Sequence, residues 1–115
     1  MVSTDHCPFC MKDQKELGIG DFRKIPNGIG SVEHRMDLLY QGVVDGRITL
    51  KRWVEITSTT PARMFGVSGR KGVIAPGADA DIVVYDPSGH TSIGYEKTHH
   101  MNMDHSAWEG YEIDG

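Results

Sequence analysis

Apolar positions recur at helical spacing through the first half of the chain and give way to short β-type runs and loops in the second. Val32, Met36, Leu39, Tyr40, Val43 and Val44 fall on one side of a helix, and Gly46 offers a stop. The pattern predicts a core-facing helix that ends there. A second, short helix is expected from Thr49 as N-cap, with Leu50, Trp53, Val54 and Ile56 on its apolar side and Trp53 assigned to packing. A third is expected from Thr60 as N-cap, with Pro61 at the first helical position, Met64 and Phe65 buried, and Gly66 ending it.

The period changes at Lys71 to Pro87. Val73 and Ile74 form a brief apolar run, Pro76-Gly77 is a turn signal, and Ile82-Val83-Val84-Tyr85 is a β-branched run closed by Asp86-Pro87. A β-hairpin or tight strand-turn-strand is expected here. Asp79 and Asp81 stand where the turn re-enters a strand, a place where carboxylates accept hydrogen bonds from backbone N–H groups. Both are assigned a structural role. After Pro87 the chain loses apolar density.

Composition narrows the class. The 115 residues, 38% hydrophobic and 24% charged, suit one soluble globular domain with a modest core. Fourteen glycines and five prolines call for many turns. A net charge of −4 with no Lys/Arg cluster argues against nucleic acid or an anionic membrane as a partner. No apolar run approaches a membrane span, and the segment Met1 to Cys10 lacks the regions of a signal peptide, so a cytoplasmic location is expected. Two cysteines, Cys7 and Cys10, cannot frame a disulfide-stapled fold and fit a reducing compartment.

Chemistry-bearing residues crowd the N-terminus as Thr4-Asp5-His6-Cys7. Three readings compete. Cys7-Pro8-Phe9-Cys10 resembles the active-site turn of glutaredoxins, which would make the protein a small thiol-disulfide protein. Such a fold needs a strand before the motif, and only six residues precede Cys7. No second Cys-x-x-Cys completes a zinc site. Alternatively, Asp5 is a metal ligand or proton-transfer group, since a carboxylate beside a metal-bound water can take and return its proton. In the third reading Asp5 and His6 belong to an ordinary polar turn. Downstream, Pro26-Asn27-Gly28 is a turn able to aim backbone groups outward at a ligand, or a plain surface turn. His99, His100, Asp104 and His105 look like a metal cluster but lack a recognised ligand spacing, and are assigned to loop or subunit contacts.

Order and spacing then carry a resemblance. Gly72, Ile74, Gly77, Ala80, Asp81, Ile82, Val83 and Val84 resemble the segment by which amidohydrolase-superfamily enzymes return from their barrel to a small β-sandwich. Ser3 to Phe9, Gln14-Lys15, Asp21 to Gly28, Glu33 to Leu39, Thr57 to Ala62 and Trp108 to Glu112 are similar to dihydropyrimidinases and D-hydantoinases from end to end. The resemblance implies an α/β fold: the C-terminal end of a TIM barrel, its last strand and flanking helices over 1–70, leading into part of a β-sandwich over 71–115. It implies a dinuclear zinc site in which Asp5 binds one metal and serves as catalytic acid/base, and a backbone contact from Asn27 to a cyclic amide or imide substrate. The Thr57 to Thr60 hydroxyls are read as caps. The other zinc ligands of that family, a His-x-His pair, a carboxylated Lys and further histidines, come from earlier strands. The chain is therefore expected to be part of a homotetrameric cyclic amidase and inactive alone. Non-catalytic dihydropyrimidinase-related proteins alter the Asp-His segment, whereas this chain keeps Asp5, His6 and Asn27.

Overall fold

The computed structural model describes residues 1–115. The chain divides into two compact units that interleave along the sequence: Met1–Ser3, Met36–Gly89 and Asp114–Gly115 form the first, Thr4–Arg35 and His90–Ile113 the second. This division follows spatial contacts and is a different one from the barrel and sandwich segments expected at 1–70 and 71–115.

Helices dominate the first unit. Helix α1 spans Arg35–Val44, as its apolar spacing predicts, and the chain turns out of it at Gly46 with φ +70°. None of its side chains is fully buried, so the helix is real but its stripe is only half covered. Helix α2 spans Leu50–Val54, and the Thr49 hydroxyl caps it by accepting from the Arg52 N–H at 3.1 Å. The expected break before Pro61 does not occur. A π-helical segment, Glu55–Thr59, runs directly into α3, Thr60–Met64, giving one continuous helical rod. Thr60 has helical dihedrals and makes no side-chain cap. The reason lies in the ring of Pro61, which has no N–H to donate and would press on the carbonyl one turn back; the wider π turn relieves that crowding without ending the helix. The hydroxyls assigned to capping do other work: Thr57 donates back to the Trp53 carbonyl at 2.7 Å, and Thr59 donates to the Gly72 carbonyl at 3.3 Å.

The core of this unit is aromatic. Trp53, Ile56 and Ala62 are buried, and Trp53 packs among Tyr40 and Tyr85 with ring centroids 4.8–5.3 Å apart. The Trp53 indole N–H donates to the Met36 carbonyl at 3.2 Å, which ties α2 to α1. Met64 and Phe65, expected in the core, are 61% and 71% exposed instead. They follow Ala62 around the rod onto its open side.

The expected hairpin is absent. Residues from Lys71 to Pro87 form turns and extended chain without a ladder, and Val84 is 93% exposed. A strand needs a partner for its N–H and C=O groups, and no backbone hydrogen bond joins Ile82–Tyr85 to another segment. Asp79 and Asp81 do not serve the turn backbone either. Asp79 pairs with Arg70 and Lys71, each at 3.1 Å, and Asp81 pairs with Lys71. The Lys71 and Arg70 hydrogen bonds hold the Asp79 carboxyl below its ordinary range. At the end of this segment the Tyr85 hydroxyl donates to the Asp114 carbonyl at 3.2 Å.

In the second unit, β1 (His90–Ser92) pairs antiparallel with β2 (Glu112–Asp114), burying Ile93 and Ile113. The Thr4–Arg35 stretch is built of turns, two short 3₁₀ segments at Lys15–Gly18 and Phe22–Lys24, and a parallel bridge between His6 and Ile29.

Candidate functional site

The His6–Ile29 bridge brings together the two segments that the sequence singles out. The Cys7 N–H donates to the Ile29 carbonyl at 3.1 Å, the Ser31 hydroxyl donates to the Thr4 carbonyl at 3.1 Å, and the backbone N–H groups of Ser31 and Val32 both donate to His6 Nδ1 at 3.1 and 3.2 Å. Because Nδ1 accepts twice, neutral His6 carries its proton on Nε2. His6 is thus a latch between the segments. Gly28 completes the approach. Its φ is +79°, and a Cβ there would stand 2.5 Å from the Asp5 carbonyl oxygen and 2.7 Å from the Cys7 Cβ. Only glycine lets the Asn27 turn lie against the Asp5 segment.

Asp5 itself is exposed, and its carboxylate has no partner within the chain. Its backbone has φ +46°, a left-handed conformation that Asp tolerates better than most residues but at a cost. An exposed carboxylate with no partner in the chain is open to a ligand from outside these residues. A hard anionic oxygen of this kind fits a divalent cation, as one ligand among several. Asn27 is likewise exposed, and neither its backbone N–H nor its C=O is engaged within the chain. The residue thus offers one free donor and one free acceptor, separated by its Cα.

Lys15 holds that turn from behind. Its ammonium donates to the carbonyls of Pro26 and of Gly28, the latter at 2.6 Å, and lies 5.5 Å from the centroid of the Phe9 ring. Sequence reasoning placed Lys15 in a matching stretch without giving it work. Its partners lie 11 and 13 residues away, beyond any local periodicity.

The histidine group does not converge on one point. His99 and His100 both serve Glu33: the His99 N–H donates at 2.8 Å, His99 Nδ1 lies 2.5 Å away and His100 Nδ1 2.9 Å away. Burial pushes the Glu33 carboxyl up, but the hydrogen bonds from His99 and His100 outweigh it and lower it to about 2. His105 pairs instead with Asp104, whose carboxylate accepts from the Met11 and Lys12 N–H groups at 2.7 and 2.9 Å. The Lys12 N–H, His105 and the Met11 N–H drive the Asp104 carboxyl far below its ordinary range. Within the chain these residues fasten loops to one another. The two thiols are free, and Cys7-Pro8-Phe9-Cys10 lies in irregular chain, with the Phe9 N–H donating to the Cys7 carbonyl at 2.9 Å, rather than at an α-helix start, where a thiolate would be favoured.

Comparison with known proteins agrees with this geometry. The model of the amidohydrolase family matches residues 1–110, and the chain belongs to that family. It is 64% identical over 115 residues to the D-hydantoinase of Streptomyces coelicolor and 47% identical over 116 residues to a D-phenylhydantoinase of Escherichia coli. In both cases all of this chain is matched, against 24% and 25% of the relative. Among solved structures, dihydropyrimidinase from Brevibacillus agri superimposes with a TM-score of 0.92 at 50% identity, and D-hydantoinase from a Bacillus sp. AR9 with 0.91 at 51%. Each match covers 99% of this chain and 25% of the other. The fold is D-hydantoinase-like, and the chain spans about a quarter of the length of these relatives. A glutaredoxin-like protein is not what this sequence encodes.

Proposed function

We propose that this chain forms the C-terminal quarter of a metal-dependent cyclic amidase, one that opens the ring amide of dihydropyrimidines or 5-substituted hydantoins to give N-carbamoyl amino acids. The observation that carries the reading is the juxtaposition of an unpaired, left-handed Asp5 with a turn whose Asn27 backbone groups are both free. In this reading residues 1–70 supply the end of the barrel and 71–115 the return towards a β-sandwich. Open apolar side chains at Val83, Val84 and Phe65 support it, since each needs a cover that these residues do not provide. The complete protein is proposed to be a homotetramer in a reducing, cytoplasmic setting, which the free Cys7 and Cys10 suit.

Asp5 would supply one ligand of a two-zinc site, and one carboxylate cannot close a zinc sphere, so the remaining ligands come from outside these residues. The metal pair, when bound, supplies a water acidic enough to attack at neutral pH. Asp5 would take a proton from the attacking water at a carboxylate oxygen as the new C–O bond forms at the ring carbonyl. It then returns the proton to the ring nitrogen as the C–N bond breaks. The Asn27 N–H donates to a ring carbonyl and the Asn27 C=O accepts from the ring N–H, holding the –CO–NH–CO– face in place. The isolated chain is accordingly inactive.

The test is Asp5→Asn in a full-length protein carrying this chain. Asn keeps the size but cannot take a proton, so kcat falls by at least ~10²–10⁴-fold, the scale of lost acid-base catalysis, with metal content reduced less. Cys7→Ser and Cys10→Ser leave kcat unchanged. Near wild-type kcat in Asp5→Asn with full metal content would remove Asp5 from the mechanism.

A further inference from the structure

We propose that Lys15 is the positioning residue of the ring-binding turn, setting the orientation of the Asn27 backbone groups by gripping the carbonyls on either side of them. This rests on the cyclic-amidase reading above for its consequence, but the grip itself is in the geometry. The Lys15 ammonium has three N–H donors, and the structure gives all of them something to meet: the Pro26 carbonyl, the Gly28 carbonyl and the face of Phe9. Two carbonyls that bracket a single residue converge on one charge.

Peptide planarity turns that convergence into a direction. In a trans peptide the C=O and the following N–H point opposite ways. Holding the Pro26 carbonyl towards Lys15 therefore aims the Asn27 N–H away from it, to the open side of the turn. Without the ammonium, two neighbouring carbonyl dipoles would face each other unneutralised, and the Pro26–Asn27 and Gly28–Ile29 peptide planes on either side of the Asn27 carbonyl would lose their restraint. Gly28, at φ +79°, has no side chain to resist that rotation. The turn is thus mobile by composition and fixed by Lys15.

Lys15 is in turn fixed from elsewhere. It opens the 3₁₀ segment Lys15–Gly18, and its own N–H donates to the Cys10 carbonyl at 3.0 Å. The turn between them begins at Met11 and Lys12, whose N–H groups are held by Asp104. A continuous set of hydrogen bonds therefore runs from Asp104 through the 10–15 turn and Lys15 to the backbone at Asn27.

The experiment uses a full-length protein carrying this chain, metal-loaded, with Lys15→Met and Lys15→Arg compared against wild type. Methionine keeps an unbranched stem that ends where the ammonium begins, and loses charge and donors. With dihydrouracil and hydantoin as substrates, Lys15→Met should raise KM about tenfold, the scale of one lost charge-assisted hydrogen bond, while kcat and metal content hold within about twofold. Lys15→Arg, which keeps charge and donors in a different shape, should restore part of the loss. Hydrogen exchange over residues 26–32, which needs no substrate, should quicken in Lys15→Met and return towards wild type in Lys15→Arg. Unchanged exchange in Lys15→Met would overturn the grip, and quickened exchange with unchanged KM would overturn its link to the ring. A parallel fall of kcat, metal content and melting temperature that arginine does not rescue would make Lys15 merely structural. If the wild-type protein turns over neither substrate, the cyclic-amidase reading falls, and exchange still decides whether Lys15 holds the turn.

Discussion

Two glycines with the same backbone conformation separate conformational strain from steric contact at the site. Gly20 and Gly28 both have φ +79°, but a Cβ at Gly20 meets nothing within 4 Å, whereas at Gly28 it would stand 2.5 Å from the Asp5 carbonyl oxygen and 3.0 Å from Cys7 Sγ. Gly20→Ala should therefore cost only the left-handed penalty, about 1–2 kcal/mol. Gly28→Ala pays the same and adds an overpacking cost of about 1–3 kcal/mol, because one of its neighbours is backbone and cannot swing away. The reporter is the Cys7 amide, whose N–H is bonded to the Ile29 carbonyl across the bridge. Its exchange protection should fall roughly 5- to 100-fold further in Gly28→Ala than in Gly20→Ala, a factor of ten being about 1.4 kcal/mol. Equal loss in the two variants would refute the claim that Gly28 is required by contact with the Asp5 segment.

Two titrations follow from the same structure. Glu33 sits at about 2 when folded, against an ordinary 4.5, so its contribution is complete above pH 4.5 and is lost as pH falls through about 2; Glu33→Gln should abolish that acid step as read by the carbon-13 shift of the carboxyl and by exchange over residues 99–105, and an unaltered acid step would contradict it. Tyr85 is pushed up to about 12 by burial first and then by Asp37, so the neutral hydroxyl stabilises below pH 10 and that stability is lost as pH rises through about 12. Ultraviolet titration should show one tyrosine ionising late, and Tyr85→Phe should remove it together with about 1 kcal/mol from the lost hydrogen bond to Asp114.

What the sequence could reveal divides by the range of the interaction. Helix α1 and the Thr49 cap were legible because their causes lie within one turn of the chain, in the spacing of Met36, Leu39, Tyr40 and Val43 and in a hydroxyl three residues from its donor. The Thr-rich run before Pro61 misled for a related reason. Local rules price a proline as a helix start, and they do not anticipate a π turn that lets the rod continue. The β-branched run Ile82–Tyr85 has the composition of a strand, yet a ladder is a property of two segments, and composition names only one. Asp5 and Asn27 were reachable through family resemblance, which stores long-range geometry as conserved spacing. The grip of Lys15 and the Glu33–His99–His100 clasp span 11 to 67 residues and leave no local trace.

The second unit joins Thr4–Arg35 to His90–Ile113, and this has a consequence for the order of events during synthesis. Asp104 is 93 residues from Met11 and 92 from Lys12, so the turn that seats Lys15 has no acceptor for those N–H groups until nearly the whole stretch between them has left the ribosome. The turn at Met11 and Lys12 is made early among these residues and completed late. A chain cut short before Asp104 would keep the bridge between His6 and Ile29 but leave the Met11 and Lys12 N–H groups without their acceptor.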